Sequence, residues 1–216
     1  MTPESIPAIA TFSVPGQALA AFAMGARRLA GLAPAGVEAA PAEARRERRV
    51  TWDDPLEAVA RASRLSGLSY LEALRDGDLP GPPIARLLRI GLIEVGEGRA
   101  VFAVDPGEDH YNPIGVVHGG LAATLLDSAL GCAVHSTLPR GATYATIELK
   151  VNFVRPVTRD TGPLRAEGTV VHRGATIATA EGRIVAERTG KLIAHGTTTV
   201  AVTLPAAAAL PLRQAA

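Results

Sequence analysis

The chain has 216 residues, which is more than one small domain needs and short for two domains of ordinary size. Hydrophobic residues make up 47% and charged residues 20%, so a packed core is expected and wholesale disorder is excluded. Lys and Arg number 22 against 21 Asp and Glu, which argues against a protein that coats nucleic acid or an anionic membrane. The single cysteine, Cys132, excludes an internal disulfide framework and a multi-cysteine metal cluster, and it fits a cytoplasmic protein.

Residues 1–50 predict a weakly ordered tail and linker. Residues 6–26 carry no charge, but prolines interrupt them, and Arg27 and Arg28 follow the apolar run, whereas a secretory signal carries its positive charges before it. Because Ala-rich sequence with proline breaks buries little surface per residue, a tail is favoured over a signal or a membrane span. The arginine- and glutamate-rich residues 39–49 then indicate an exposed linker.

Residues 51–83 predict a short helical extension. An acidic pair precedes Pro55, which is typical of a helix start, and apolar residues at helical spacing continue this helix to about Leu65. A second helix is predicted over residues 69–74 and ends before Gly77, because the proline-rich stretch that follows cannot continue it. The two helices lack a basic recognition face, which disfavours a helix-turn-helix unit.

Residues 84–203 predict an α+β domain. Residues 119–137 are apolar on nearly all sides, which is typical of a buried helix. Six runs with strand character are separated by turn residues, at 90–95, 100–104, 146–153, 164–172, 176–186 and 192–202. We therefore expect an antiparallel sheet wrapped around one central helix, followed by a C-terminal tail over residues 204–216.

The strand predicted over residues 146–153 alternates strictly between apolar and polar side chains. This pattern predicts one face with Ile147, Leu149, Val151 and Phe153, and an opposite face with Thr146, Glu148, Lys150 and Asn152.

Several common enzyme motifs are absent from the sequence. It contains no Gly-x-Ser-x-Gly elbow, no phosphate-binding loop ending in Gly-Lys-Ser or Gly-Lys-Thr, no Gly-x-Gly-x-x-Gly after a strand and no His-Glu-x-x-His. Serine hydrolases, NTPases, zinc peptidases and dinucleotide enzymes are thus disfavoured, and no metal site is expected. Cys132 lies within the apolar helix and is interpreted as an inert core residue.

One dense polar cluster lies before the buried helix, from Asn112 to His118-Gly119-Gly120. Glycines at a helix start let a substrate approach the backbone closely. The first N–H groups of a helix have no intrahelical partner and can stabilise a carbonyl oxygen that becomes negative during attack. An ordinary glycine-rich loop that enters a core helix is the alternative.

Asp127 lies in the middle of the apolar helix, where an unpaired carboxylate is costly to bury. It either reaches solvent or a partner, or lines a pocket as a base or nucleophile. Gly119 and Asp127 are eight residues apart, about 12 Å at 1.5 Å per residue, which is too far for one reacting group of a substrate to contact both easily. If both act on one substrate, Asp127 must face Gly119 of the partner subunit across a two-fold axis.

The combination of Asn112, His118-Gly119-Gly120 and Asp127 resembles the PaaI-type hotdog-fold acyl-CoA thioesterases. The run TIELKVNFVRP, which starts at Thr146, is similar to the family's strand after the central helix, and the resemblance covers roughly residues 84–202. It implies a hotdog fold and hydrolysis of an acyl-CoA to a carboxylic acid and free CoA, without a metal or a separate cofactor.

The resemblance also implies roles for individual residues. The N–H of Gly119 would polarise the thioester carbonyl, while Asn112 and His118 hold the acyl end. Asp127 of the partner subunit would act as nucleophile or general base, and Thr146 would help to position water.

The resemblance further implies that CoA passes Gly120, Arg155 and Arg173-Gly174, where guanidinium groups suit its phosphates. Each residue also has a structural alternative, namely a turn for Asn112, a helix cap for His118, strand packing for Thr146 and solvated charges for the arginines.

Two rival functions stay open. The sequence Asp109-His110-Tyr111-Asn112-Pro113 superficially resembles the loop of a hotdog hydratase or dehydratase, but the acid at Asp127 lies down the helix, which favours hydrolysis. An acyl-CoA-binding sensor with residues 52–79 as its output module has no need of that carboxylate. We expect a homodimer or a dimer-of-dimers tetramer that binds acyl-CoA and neither nucleic acid nor membrane.

Overall fold

The computed structural model describes residues 46–205. The chain divides into two units, residues 1–48 and 49–216, and all the helices and strands given below belong to the second unit. Residues 1–45 of the predicted N-terminal tail and 206–216 of the predicted C-terminal tail lie outside the described residues. Within the described part, no helix has the length and apolar character needed to cross a membrane.

Both helices predicted before the sheet are present. Helix α1 covers Pro55–Ala62, ends a turn earlier than expected, and is capped by the Asp54 carboxylate, which accepts from the Leu56 N–H at 2.8 Å. Helix α2 covers Gly67–Asp76 and ends at Gly77, whose φ of 83° is a left-handed conformation that glycine adopts without strain.

Helix α2 is packed tightly onto the rest of the unit. The Gly67 N–H donates to the Leu138 carbonyl oxygen at 2.9 Å, and Leu71 is only 1% exposed. A Cβ atom on Gly67 would lie 1.7 Å from the carbonyl oxygen of His135, so only glycine permits this approach. Helix α2 is therefore part of the core structure, whereas helix α1 has no buried residue.

A third helix, α3, covers Pro83–Leu88 and was not expected. The sequence pattern predicted mainly strands after Pro83. Pro83 occupies the first helical position, which proline favours, but six residues are too few to show a helical period. The helix ends at Arg89, the only non-glycine residue with positive φ among the described residues, at 57°.

The six predicted strands form one antiparallel sheet in the order β1-β2-β4-β5-β6-β3. Their bounds are β1 Gly91–Gly96, β2 Arg99–Val104, β3 Thr143–Phe153, β4 Leu164–Arg173, β5 Ile177–Ala186 and β6 Leu192–Thr203. Strand β3 lies at one edge of the sheet and β1 at the other, so the outer backbone groups of β3 have no neighbouring strand within residues 46–205.

Helix α4, Gly119–His135, is the central helix, and the sheet wraps around it. The expected α+β hotdog architecture is confirmed. Leu125, Leu126 and Leu130 of this helix are fully buried, which explains its apolar character on nearly all sides.

A row of glycines crosses the sheet beneath helix α4. Gly168, Gly182 and Gly196 are paired with one another across β4, β5 and β6. A Cβ atom on Gly168 would lie 2.5 Å from the Ala129 carbonyl oxygen, and one on Gly182 would lie 2.9 Å from the Leu130 side chain. The helix therefore sits closer to the sheet than any other residue type in this row would allow.

The strict alternation expected in strand β3 is wrong at its centre. The register between β3 and β6 shifts between Thr146 and Glu148, so Ile147 is the extra residue of a β-bulge. Thr146 is opposite Val200 and Leu149 is opposite Thr198, two buried positions of β6, so both project from the same side of the sheet. The bulge moves Thr146 to the face that carries the central helix and leaves Ile147 60% exposed.

Candidate active site

The loop before helix α4 is held at several points. The His118 N–H donates to the His110 carbonyl oxygen, and the Val117 N–H donates to that of Val157, both at 2.8 Å. The Tyr111 hydroxyl accepts from the Arg159 N–H at 3.0 Å. Backbone bonds on both sides of the loop therefore fix where the helix begins.

His118 caps helix α4. Its Nδ1 accepts from the Gly120 N–H at 2.8 Å, which leaves the proton of the neutral imidazole on Nε2. A Cβ atom on Gly120 would lie 2.8 Å from that Nδ1, so glycine is needed for the cap. The capping alternative for His118 is thus present in the structure, and Nε2–H remains as a donor on its other side.

The Gly119 N–H is the first of the helix and has no acceptor within the described residues. Gly119 lines a cavity of about 280 Å³ together with His118, Phe153, Arg155 and other residues around Val157. A Cβ atom on Gly119 would lie 3.3 Å from the Phe153 ring, so the ring covers this glycine from one side. A substrate oxygen in this cavity can approach the N–H at the positive end of the helix dipole.

Asn112 shapes the loop. Its Oδ1 accepts from the N–H groups of Ile114 and Val116 at 3.1 and 3.3 Å, as the turn alternative required. With its oxygen in use, the Asn112 amide group has only its NH₂ donors to offer a ligand.

Asp127 and Thr146 lie together on the other side of the helix. The Thr146 hydroxyl donates to the Asp127 Oδ1 at 3.0 Å, a contact that the bulge at Ile147 makes possible. Asp127 is half-buried and lines a second cavity of about 940 Å³. The carboxylate is thus oriented by a neighbour and open to a ligand.

The two halves of the predicted site are separate within one chain. Gly119 lines the smaller cavity and Asp127 the larger one, and neither cavity includes both residues. This agrees with the separation of about 12 Å along the helix.

The predicted CoA residues are likewise divided. Arg155 lines the smaller cavity beside Gly119 and donates to the Leu192 carbonyl oxygen at 2.6 Å. Arg173 lies in a different groove, formed with Glu97 and Leu138 near the end of helix α4. Gly174 closes the β4–β5 turn, because its N–H donates to the Ile177 carbonyl oxygen and a Cβ atom would lie 2.7 Å from that oxygen.

Sequence reasoning missed three polar residues in the cavity beside Asp127: Ser128, His135 and Tyr144. The ring centroids of Tyr70 and His135 are 5.3 Å apart, and those of His135 and Tyr144 are 5.4 Å apart. Burial lowers the pKa of His135 and raises the pKa of Tyr144, so both rings are uncharged near neutral pH. Tyr144 could have been found, because it lies two residues before Thr146 on the same strand and so shares its face.

Cys132 also lines this cavity, and burial raises the pKa of its thiol to about 12. We expect alkylation of the native protein by iodoacetamide to be slow and to keep rising about tenfold per pH unit up to pH 10, because only the thiolate reacts. In urea the rate should level off above pH 9, as for an ordinary cysteine with a pKa of about 8.5. Mass spectrometry of the labelled peptide measures this, and a native rate that levels off near pH 9 would contradict it.

Metal-ligating side chains are not clustered in the described part of the chain. No group of three or more His, Cys, Asp or Glu within residues 46–205 is placed to hold a metal ion.

Comparison with known proteins decides the family. The family model of the thioesterase superfamily matches residues 114–193. Human acyl-coenzyme A thioesterase 13 is 31% identical over 108 residues, which are 50% of this chain and 76% of that protein. The chain belongs to the thioesterase superfamily. It is a hydrolase that acts on thioester bonds.

Further relatives fit this assignment. A protein of Halobacterium salinarum whose name assigns it to the esterases is 46% identical over 82 residues, and the match spans 37% of this chain and 48% of that protein. The solved structure of Escherichia coli PaaI, from the phenylacetic acid degradation operon, has 25% identity and a TM-score of 0.54 to this thioesterase. That match covers 63% of this chain and 94% of PaaI, which confirms the PaaI-type resemblance.

Proposed function

We propose that this thioesterase hydrolyses acyl-CoA to a carboxylic acid and free CoA, without a metal, in sites shared by two subunits. The observation that carries the proposal is the pair formed by the unpaired Gly119 N–H and the Asp127 carboxylate held by Thr146. CoA is chosen as the thiol because relatives such as acyl-coenzyme A thioesterase 13 carry it in their names. It is part of the substrate, and no separate cofactor is proposed.

The edge strand β3 is the surface that we propose for the subunit contact. It has no neighbouring strand on its outer side within the described residues, and Ile147, Phe153 and Val154 are 60%, 59% and 44% exposed there. An unpaired edge with apolar side chains is a template for pairing with a second copy. A two-fold axis at this edge would bring Gly119 of one subunit towards Asp127 of the partner subunit, as a homodimer or within a dimer-of-dimers tetramer.

In the proposed reaction the Gly119 N–H donates to the thioester carbonyl oxygen and stabilises its negative charge after attack. Asp127 of the partner subunit either removes a proton from the attacking water or attacks the carbonyl carbon itself, after which water completes the reaction. In both routes one water is consumed, the C–S bond breaks, and the thiolate of CoA leaves and takes up a proton. The products are one carboxylic acid and one CoA thiol.

The remaining site residues are assigned to binding and orientation. The Nε2–H of His118 and the NH₂ group of Asn112 are the donors left after their bonds within the loop, and they would hold the acyl end. Thr146 would orient Asp127 and the water. Arg155, beside the Gly119 cavity, and Arg173, in its separate groove, are proposed as contacts for the phosphates of CoA.

Incubation of the purified protein with short-chain, long-chain and aromatic acyl-CoAs tests this function. We expect release of free thiol from at least one of them, at a rate well above that of the same solution without protein. A protein that binds acyl-CoA but releases no thiol from any of them would instead be a sensor. Conversion of an enoyl-CoA to its hydroxyacyl-CoA without thiol release would support the hydratase.

A further inference from the structure

Two parts of the chain form the walls of the cavity beside Asp127. One wall is the face of helix α4 that carries Asp127, Ser128, Cys132 and His135, together with Tyr144 of strand β3. All other lining residues precede residue 114, where the match to the family model begins. They include Tyr70, Leu74 and Leu79 of the extension, Ile84 of helix α3, Ile90 just before strand β1, and Phe102 of strand β2. Helix α2 and the proline-rich segment after it therefore supply one side of the cavity, opposite the face of helix α4.

The buried part of this cavity's lining is apolar, whereas its charged side chains other than Asp127 are exposed. Leu71, Leu79, Ile90 and Phe102 are its buried lining residues, and its volume of about 940 Å³ lies in the range of pockets that enclose a small molecule. The ionisable groups on the wall formed by helix α4 and Tyr144 are the Asp127 carboxylate, the Cys132 thiol, the His135 ring and the Tyr144 hydroxyl, and burial keeps the last three uncharged near neutral pH. An apolar chain loses no hydrogen bonds by entering such a space.

The rim of the cavity, in contrast, is charged and mainly acidic. Asp53, Glu57 and Asp78 line it and are exposed, whereas Arg86 is the one basic residue among its lining residues. An acidic rim repels the phosphates of CoA and any acyl group that ends in a carboxylate. The charge pattern therefore admits the uncharged end of an acyl-CoA and directs its nucleotide end elsewhere.

We propose that this cavity binds the acyl chain of the substrate, that the chain is apolar and uncharged, and that Tyr70, Leu74 and Leu79 set the greatest length accepted. The inference rests on the proposed function, because it places the thioester at Asp127. The cavity follows helix α4 from Asp127 to His135, which is about 12 Å at 1.5 Å per residue. Helix α2 and the segment up to Leu79 are thus proposed to determine which acyl chains are accepted.

Affinity should rise with chain length until the cavity is filled. Each buried methylene contributes about 0.8 kcal/mol, which is about fourfold in the dissociation constant. The Asp127→Asn variant, in which turnover is removed, allows this to be measured by titration with acyl-CoAs from acetyl to palmitoyl. A dissociation constant that does not change along the series would overturn the inference.

Substitution of Leu74 tests the wall directly, because this half-buried side chain lines the cavity. Leu74→Trp should shorten the accepted chain, with KM for the longest good substrate raised at least tenfold more than KM for the shortest. Leu74→Ala should lengthen the longest chain that is accepted. This second variant tests the proposal even if Leu74→Trp does not fold. Succinyl-CoA should be at least tenfold poorer than butyryl-CoA in kcat/KM.

Val171→Trp is the matched control, because Val171 is 62% exposed on strand β4 and does not line the cavity. Its chain-length profile should equal that of the wild type. If both Leu74 variants keep the wild-type profile while Asp127→Asn is inactive, the inference is wrong and the proposed function stands. If Asp127→Asn retains activity, the proposed mechanism fails, and the Leu74 profiles still report on the cavity.

Discussion

Replacement of Asp127 by alanine or by asparagine is expected to lower kcat for acyl-CoA hydrolysis by at least about 10²-fold, the usual contribution of a positioned base or nucleophile. Asparagine has nearly the same shape and keeps an oxygen that can accept from the Thr146 hydroxyl. Equal losses in both variants would therefore assign the effect to the missing carboxylate and not to packing. Thiol release with a saturating acyl-CoA measures kcat.

Ser128→Ala is the matched control for Asp127. Ser128 is the next residue on the same helix and lines the same cavity, and its hydroxyl donates to the Thr124 carbonyl oxygen at 2.8 Å. This bond lies within the helix, so its loss should leave kcat within about threefold of the wild type. Circular dichroism and thermal unfolding establish that all variants are folded. An Asp127→Asn protein with more than a tenth of wild-type kcat would remove this residue from the mechanism.

Gly119→Pro is expected to lower kcat by about 10²- to 10³-fold, as removal of an oxyanion donor does in other enzymes. Gly119 is the first residue of helix α4, a position that proline favours, and proline lacks the N–H to which the proposal assigns the thioester oxygen. His118 already has the extended backbone that a residue before proline requires, with φ −61° and ψ 133°. The substitution thus removes one donor and keeps the helix.

Gly119→Ala separates the lost donor from the added bulk. Its Cβ atom meets the Phe153 ring at 3.3 Å, a contact that this 59% exposed ring can relieve by a small movement, and its N–H is retained. We expect Gly119→Ala to keep kcat within about threefold of the wild type. A proline variant with kcat as high as that of the alanine variant and of the wild type would show that the N–H is not the oxyanion donor.

A mixture of the Asp127→Ala and Gly119→Pro proteins extends the same test to the shared site. If Gly119 of one subunit and Asp127 of the other form each site, a mixed dimer contains one intact site and one site that carries both substitutions. Equal amounts with free exchange then give about a quarter of wild-type activity, because half of the dimers are mixed and each has one of two sites. A mixture that stays inactive after proven exchange would contradict the shared site.

Much of the fold follows from local signals in the sequence. The turn glycines, the six strand-like runs and the apolar residues 119–137 predict the sheet and its central helix, because each signal acts within a few residues. The helix at Pro83–Leu88 has only six residues and no side-chain cap, so its stability comes from contacts elsewhere in the unit. Such contacts leave no periodic pattern in the sequence.

The site was predictable in its residues and not in its geometry. His118, Gly119 and Asp127 stand out in the sequence because polar or glycine residues there interrupt an apolar run. The contact between Thr146 and Asp127 depends on the bulge at Ile147, and the alternating pattern continues through that position without a sign of it. The cavity beside Asp127 could likewise not be predicted, because residues as far apart in the sequence as Tyr70 and Phe102 form its walls.

The glycine row beneath helix α4 and the proposed acyl wall are separate sets of residues, so substitutions in one need not affect the other. Gly168 and Gly182 let the helix lie close to the sheet, and the helix carries both Gly119 and Asp127. The proposed acyl wall, in contrast, lies on Tyr70, Leu74 and Leu79, outside the row. Substitutions in the wall can therefore alter which substrates are accepted while the reacting groups keep their positions. In the proposed site, selection could therefore change the substrate range with little effect on the reaction chemistry.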